Sequence, residues 1–258
     1  MKKAFSVFLG IVLCMTVVFS TVGLTACDDG IIQIGFTYYA PINYKDEEGN
    51  FVGHDTELAK RVFEELGYEY EFVEIDWDAK IIELNSRRID VIWNGMTITD
   101  ELKAAINISD PYMVNQQVIV VKSENANKYN TAADLLNASS IVYESGSAAK
   151  SALEGIAGID KVKTAEAESQ AKALMEVAAG TSEVGVIDIT MAMSMTGAGT
   201  DYEDIVYKNV GFEEEQYGVG VRKGEDDFLK EINDKLAELK EEGYLDELYD
   251  KYMGGAAE

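Results

Sequence analysis

The strongest constraint on this chain is an alternation of strand-length apolar runs with amphipathic stretches, broken near residue 122 and resumed near residue 217. Residues 31–36 have the apolar character of a buried strand. Leu58, Val62, Phe63 and Leu66 then recur at helical spacing, with Asp55 placed to cap the helix start and Gly67 to end it. Residues 68–74 alternate aromatic and acidic side chains, as a half-exposed strand does. A helix over 79–85, a strand over 89–93, a short helix over 99–105 and an apolar strand over 118–121 continue the series. Strands alternating with helices imply parallel α/β layers.

The pattern then restarts. Thr131 and Asp134 make a capping box ahead of Leu135 and Leu136. Strands are expected over 141–143 and 184–187, the latter ending at Asp188, and helices over 147–156 and 167–179, closed by Gly180. After strands at 205–207 and 217–221, on either side of the acidic run Glu213-Glu214-Glu215, helices over 226–242 and 245–252 finish the chain. Two such series imply two α/β lobes joined by two crossing strands. The boundaries expected are 27–121 with 217–258 for the first lobe and 122–216 for an inserted second lobe.

The first residues are a separate object. Lys2 and Lys3 precede an uncharged apolar run over 4–22, and Leu24-Thr25-Ala26-Cys27 places small residues before a cysteine. This is the layout of a secretory signal over residues 1–26, and the last four residues resemble a bacterial lipobox, which implies a diacylglyceryl group on Cys27. An uncleaved anchor is the alternative reading, since about 20 apolar residues can span a bilayer. With Cys14 in the signal and Cys27 lipidated, the exported domain has no thiol for a disulfide or a metal.

Charge narrows the function. Lys and Arg number 22 against 47 Asp and Glu, a formal net charge of −25. That sign argues against nucleic acid or anionic headgroups as partners. Catalytic patterns are missing too: no P-loop, nucleophile elbow, HExxH helix or metal-ligand cluster occurs, and His54 is the only histidine. No cofactor is expected.

The stretch from Trp77-Asp78 through Ile89-Asp90-Val91-Ile92-Trp93-Asn94-Gly95-Met96-Thr97-Ile98-Thr99 to Ser109-Asp110-Pro111-Tyr112 resembles the signature region of the bacterial extracellular solute-binding proteins, family 3. Glu144-Ser145-Gly146-Ser147, Gly185-Val186-Ile187-Asp188 and Tyr217-Gly218-Val219-Gly220-Val221 extend the likeness over about 31–253. The resemblance implies the type II periplasmic-binding-protein fold, in which two lobes close over a ligand by a hinge. It also implies an amino-acid-binding lipoprotein of an ABC importer, on the outer face of the cytoplasmic membrane, a monomer handing its solute to the permease subunits. A few relatives of this fold are cyclohexadienyl dehydratases, with Glu144 or Asp188 as the cleft acid here. A sensor role would need a separate partner.

The same resemblance supplies candidate binding residues. Asp188, at a strand's C-terminal edge where such folds bind ligands, pairs with the ligand's amino group, or else caps the next helix. Thr97, after the Asn94-Gly95 turn, and Ser147, ahead of a helix, face its carboxylate; each could equally serve as a cap. Thr99 is the better cap, being nearer Glu101. Tyr39 and Trp77 match positions whose rings flank the ligand side chain, with Phe36, Tyr38 and Tyr112 as neighbours, while Trp93 reads as core.

Leu102 departs from the pattern, because the family places there an arginine that forks two hydrogen bonds onto the carboxylate. Glu144 departs as well, an acid where glutamine or lysine is frequent. Two readings stand. Either the solute is cationic, held by Glu144, Asp188, Trp77 and Tyr39 (a basic amino acid, or an amine lacking a carboxylate), or Leu102 reflects local repacking around a neutral amino acid.

Overall fold

The computed structural model describes residues 30–254, so the expected signal segment and Cys27 lie outside the described residues. Strand Ile31–Phe36 pairs in parallel with Glu69–Glu74 on one side and Val91–Ile92 on the other. Gly220–Val221, from the far end of the chain, pairs antiparallel with Val91–Ile92 and with Asn107–Ile108, completing a five-stranded sheet. Gly35 in the central strand is required by close packing: an added Cβ would lie 2.4 Å from Ile89 Cδ1.

The second sheet is built around Met113–Lys122. Its later half pairs antiparallel with Val184–Asp188 and with Ile205–Lys208, while Ile141–Glu144 and Thr164–Ala167 extend the sheet in parallel. Its first residues pair instead with the returning strand Glu214–Tyr217. The chain therefore passes between the sheets along one long strand and comes back beside it. By Gln117 it is already paired within the second sheet, five residues before position 122.

Helix His54–Leu66 buries Leu58, Ala59, Val62 and Phe63 against Ile34, Val91 and Trp93, and helix Asp226–Glu241 adds Ile232, Leu236 and Leu239 to the same cluster. Each of the larger of these side chains contributes about 1.5–3 kcal/mol by leaving water. Gly67 at φ 78° ends the first helix as the sequence predicts, its N–H bonding Glu64 O and the Tyr68 N–H bonding Phe63 O. A separate cluster of Ile119, Val121, Ile141, Val184 and Val186 is the core of the second lobe.

The helix start differs from expectation. Gly53, at φ 125°, is the cap position, and its missing Cβ would otherwise fall 2.2 Å from Ile42 O. Asp55 sits inside the first turn, fully buried, where it accepts hydrogen bonds from the Gly95 N–H at 2.7 Å and the Tyr112 hydroxyl at 2.6 Å. His54 is buried beside it, within 2.9 Å through Nδ1 and stacked on Tyr112. The acid thus ties the helix to the Asn94-Gly95 turn, which fronts the cleft.

Candidate functional site

Between the two sheets lies a cavity of about 470 Å³. Its lining includes all nine residues singled out from sequence: Tyr39, Trp77, Asn94, Gly95, Thr97 and Leu102 from the first lobe, Glu144, Ser147 and Asp188 from the second. The fold brings them together from several kinds of element: Tyr39, Asn94, Gly95 and Thr97 follow strands, Trp77 and Leu102 lie in short helices, Glu144 and Asp188 end strands, and Ser147 precedes a helix. Asn94 is locked by Thr37, donating to its Oγ1 at 2.7 Å and accepting from its N–H at 3.1 Å. Gly95 turns at φ 59°, a conformation side chains rarely adopt, and a Cβ there would come within 3.0–3.1 Å of the Tyr39 and Tyr217 rings. Thr99 caps helix Asp100–Ala105 by accepting from the Leu102 N–H at 3.1 Å. Thr97, which does not cap, forms a backbone bridge with Tyr217 of the returning strand.

Asp188 is the most heavily bonded group of the site. One carboxylate oxygen accepts from the Tyr39 hydroxyl at 2.9 Å and Gln170 Nε2 at 2.6 Å, the other from Asn115 Nδ2 at 2.9 Å and from Gln117 Nε2. Four donors match the roughly four lone-pair sites of a carboxylate. Asp188 makes no side-chain cap on the helix that follows it. Asn115 and Gln117 also donate to Glu215, at 2.6 and 2.7 Å. Burial, with Asp188 close by, pushes the Glu215 carboxyl up from its ordinary range. Tyr39 further bonds Thr190 and the Tyr217 hydroxyl, and burial raises its phenol well above the usual value. The ring expected to flank a ligand is thus anchored across the lobes by its hydroxyl.

Glu144 is equally buried and less well served. Burial first, then the Asp188 charge, push its carboxyl up to about 8, against the pull of Lys80 and hydrogen bonds from Gln170. Ser147, read as carboxylate-facing with capping as the alternative, makes no side-chain cap and donates its hydroxyl to Glu144 O at 2.8 Å. Leu102 packs against the apolar cluster of Trp77, Leu84, Met96 and Ile106. Lys103 points away, exposed, with Asp100 at 3.8 Å. Of the other expected neighbours, Tyr38 lines the cavity. Phe36 and Tyr112 do not; they pack within aromatic clusters.

Sequence reasoning missed Lys80. It follows Trp77-Asp78-Ala79 on a helix expected to be ordinary, yet it is 5% exposed and lines the cavity. Its Nζ donates to Trp77 O at 3.0 Å and across the cleft to Gly146 O at 2.8 Å, and lies 4.6 Å from the Trp77 ring centroid. Gly146, at φ 70°, permits this approach: a Cβ would stand 2.9 Å from Asp78 Cα. The only available signal was a charge at the helix position three after Trp77, one turn further along the same face. Gln170 was missed too. Among the described residues, no cluster of three or more His, Cys, Asp or Glu could hold a metal, and no helix is long and apolar enough to cross a membrane.

The profile of the bacterial extracellular solute-binding proteins, family 3, matches residues 32–255. The L-cystine-binding protein TcyJ of Escherichia coli (strain K12) is 28% identical over 216 residues, covering 84% of this chain and 79% of that protein. An ancestral arginine-binding protein bound to arginine superposes with a TM-score of 0.80 at 32% identity, covering 87% of this chain and 98% of that one. The ancestral amino acid-binding protein AncCDT-1, a precursor of cyclohexadienyl dehydratase, gives 0.77 at 33% identity, covering 87% and 96%.

Proposed function

The chain belongs to family 3 of the bacterial extracellular solute-binding proteins, and from that premise we propose that it captures an amino acid between its lobes and delivers it to the permease of an ABC importer. The observation that carries this reading is the cavity of about 470 Å³ lined from both lobes, a volume within the range of small-molecule sites, about 300–1,000 Å³. In this scheme the ligand's amino group enters beside Asp188 and Glu144, and Glu144, which lacks the four donors of Asp188, is the freer acceptor. Thr97 and Ser147 face the carboxylate, Tyr39 and Trp77 flank the side chain, and Asn94, Gly95 and Leu102 complete the first-lobe wall. A hinge where Met113–Lys122 runs beside Glu214–Tyr217 closes the lobes.

A basic side chain on the ligand is compatible with the lining, where Asp78, Glu101, Glu144, Glu166 and Asp188 outnumber Lys80 and Lys150. The relatives named for cystine and arginine support an amino acid as the ligand class. Because these proteins bind solutes, the reading is of a receptor and not of an enzyme. Two acyl chains on Cys27 would hold it stably at the outer face of the cytoplasmic membrane.

Thermal shift of the purified protein against the common amino acids tests the reading. A true ligand at 100 times its Kd stabilises by about 2.7 kcal/mol. If no amino acid raises the melting temperature, while a cyclohexadienyl acid is dehydrated, the receptor reading is wrong. For the anchor, Cys27→Ser is expected to move the protein from the membrane to the soluble fraction, and retention in the membrane would refute lipidation at that residue.

A further inference from the structure

Lys80 is a buried cation at a cavity wall, and among the described residues no carboxylate oxygen lies within 4.0 Å of its Nζ. An ammonium has three N–H donors. Trp77 O and Gly146 O take two of them, and the third is left for the cavity that Lys80 lines. Burial pushes the Lys80 ammonium down from its ordinary range, and the carboxylates of Glu144, Asp78, Glu101 and Asp76 act against this from beyond 4.0 Å, so a carboxylate arriving at Nζ would favour the charged form. Glu144 is the charge that most favours the ammonium, yet burial and the Asp188 charge push its own carboxyl up to about 8. At Leu102, where an arginine is expected from the resemblance, the side chain has joined the apolar cluster under the cleft.

We propose that Lys80 is the anion-binding residue of the cleft, its ammonium receiving a carboxylate of the solute. The proposal rests on the amino-acid reading above and specifies it. Leu102 of helix Asp100–Ala105 brings no charge to the cavity, whereas Lys80 of helix Lys80–Asn85 brings a positive one to the same wall. It also restricts the ligand class. A simple amine or polyamine would bring its cation to a Trp77 ring already faced by Lys80, where like charges repel. The solute is therefore one that carries a carboxylate, whatever the charge of its other end. Because the ammonium also bonds Gly146 O on the opposite lobe, the bound carboxylate sits where the lobes meet.

Titration calorimetry on the purified protein decides the matter, with L-arginine, L-histidine and L-cystine each set against its decarboxylated counterpart, agmatine, histamine or cystamine, and with L-glutamate set against L-glutamine. The wild type is expected to bind at least one amino acid, with any decarboxylated counterpart weaker by about 30-fold or more, the usual consequence of losing one partner of a buried charge pair. Binding of L-glutamate without L-glutamine would place a side-chain carboxylate at Lys80; any other preference would place the α-carboxylate there. Lys80→Met should weaken amino-acid binding by a similar factor without lowering the unliganded melting temperature, and adding Leu102→Arg to it should restore affinity.

A mere latch between the lobes would behave differently: Lys80→Met would weaken amino acids and decarboxylated probes alike, and Leu102→Arg would not help. That pattern overturns the proposal, as does wild-type protein that binds agmatine, histamine or cystamine as tightly as the parent amino acid. The wild-type comparison stands even if Lys80→Met does not fold. Silence of the wild type toward every amino acid removes the amino-acid reading itself, a failure visible before any variant is made.

Discussion

Two neighbourhoods of the same cleft are equally hidden from water and oppositely served. Asp188, 4% exposed, is surrounded by donors from Tyr39, Asn115, Gln117 and Gln170. Lys80, 5% exposed, has two carbonyls and no counter-charge within 4.0 Å among the described residues. Burial by itself therefore does not identify a ligand-facing group. A satisfied charge fixes geometry, whereas an unsatisfied one leaves desolvation uncompensated until something binds. Glu144 lies between the two, tied to Asp188 by repulsion and to Lys80 by attraction.

The largest expected effect comes from that middle position. The Glu144 carboxyl is pushed from its ordinary 4.5 to about 8 by burial and by Asp188. The folded state then binds the proton more tightly than the unfolded chain, so stability falls as pH rises between about 4.5 and about 8. Carried in full, that displacement corresponds to about 5 kcal/mol, and Glu215, raised for the same reasons, adds in the same direction. Melting temperature of the unliganded protein should drop from pH 5 to pH 8, and Glu144→Gln should flatten the slope. An unchanged slope would mean that Glu144 is already ionised and paired. A ligand amino group arriving beside Glu144 favours its charged form, so binding near pH 7 should release a proton, detectable by calorimetry in buffers of different ionisation enthalpy.

The legibility of the molecule in its sequence follows the range of the interactions. Helix His54–Leu66 was readable because periodicity and Gly67 are local signals, and so was the pairing of Thr131 with Asp134 as a capping box. Asp55 was misread as a cap because its true partners, Gly95 and Tyr112, are 40 and 57 residues away. The nine cleft residues came from a motif resemblance, and the cavity does gather them. Lys80 and Gln170 lay outside any motif, and nothing local distinguishes a lysine that folds into a cleft from one that stays in solvent.

Asp188→Ala provides the sharper contrast with Lys80. Removing the carboxylate leaves donors from Asn115, Gln117, Gln170 and Tyr39 without their shared acceptor in a buried space, drawn from the linking strand, from helix Gln170–Ala179 and from the loop after Ile31–Phe36. Loss of one partner from such a buried charged network costs on the order of 3 kcal/mol. Part of this is offset, because Glu144 and Glu215 no longer feel the Asp188 charge. Urea unfolding near pH 7 should therefore show a clear drop in the midpoint for Asp188→Ala. Lys80→Met should show none or a small rise, since an apolar replacement of a poorly paired buried charge is often neutral or stabilising. Ligand affinity should fall in both variants. If Asp188→Ala keeps wild-type stability and loses only binding, its four donors do not hold the cleft together, and both charges belong to the ligand.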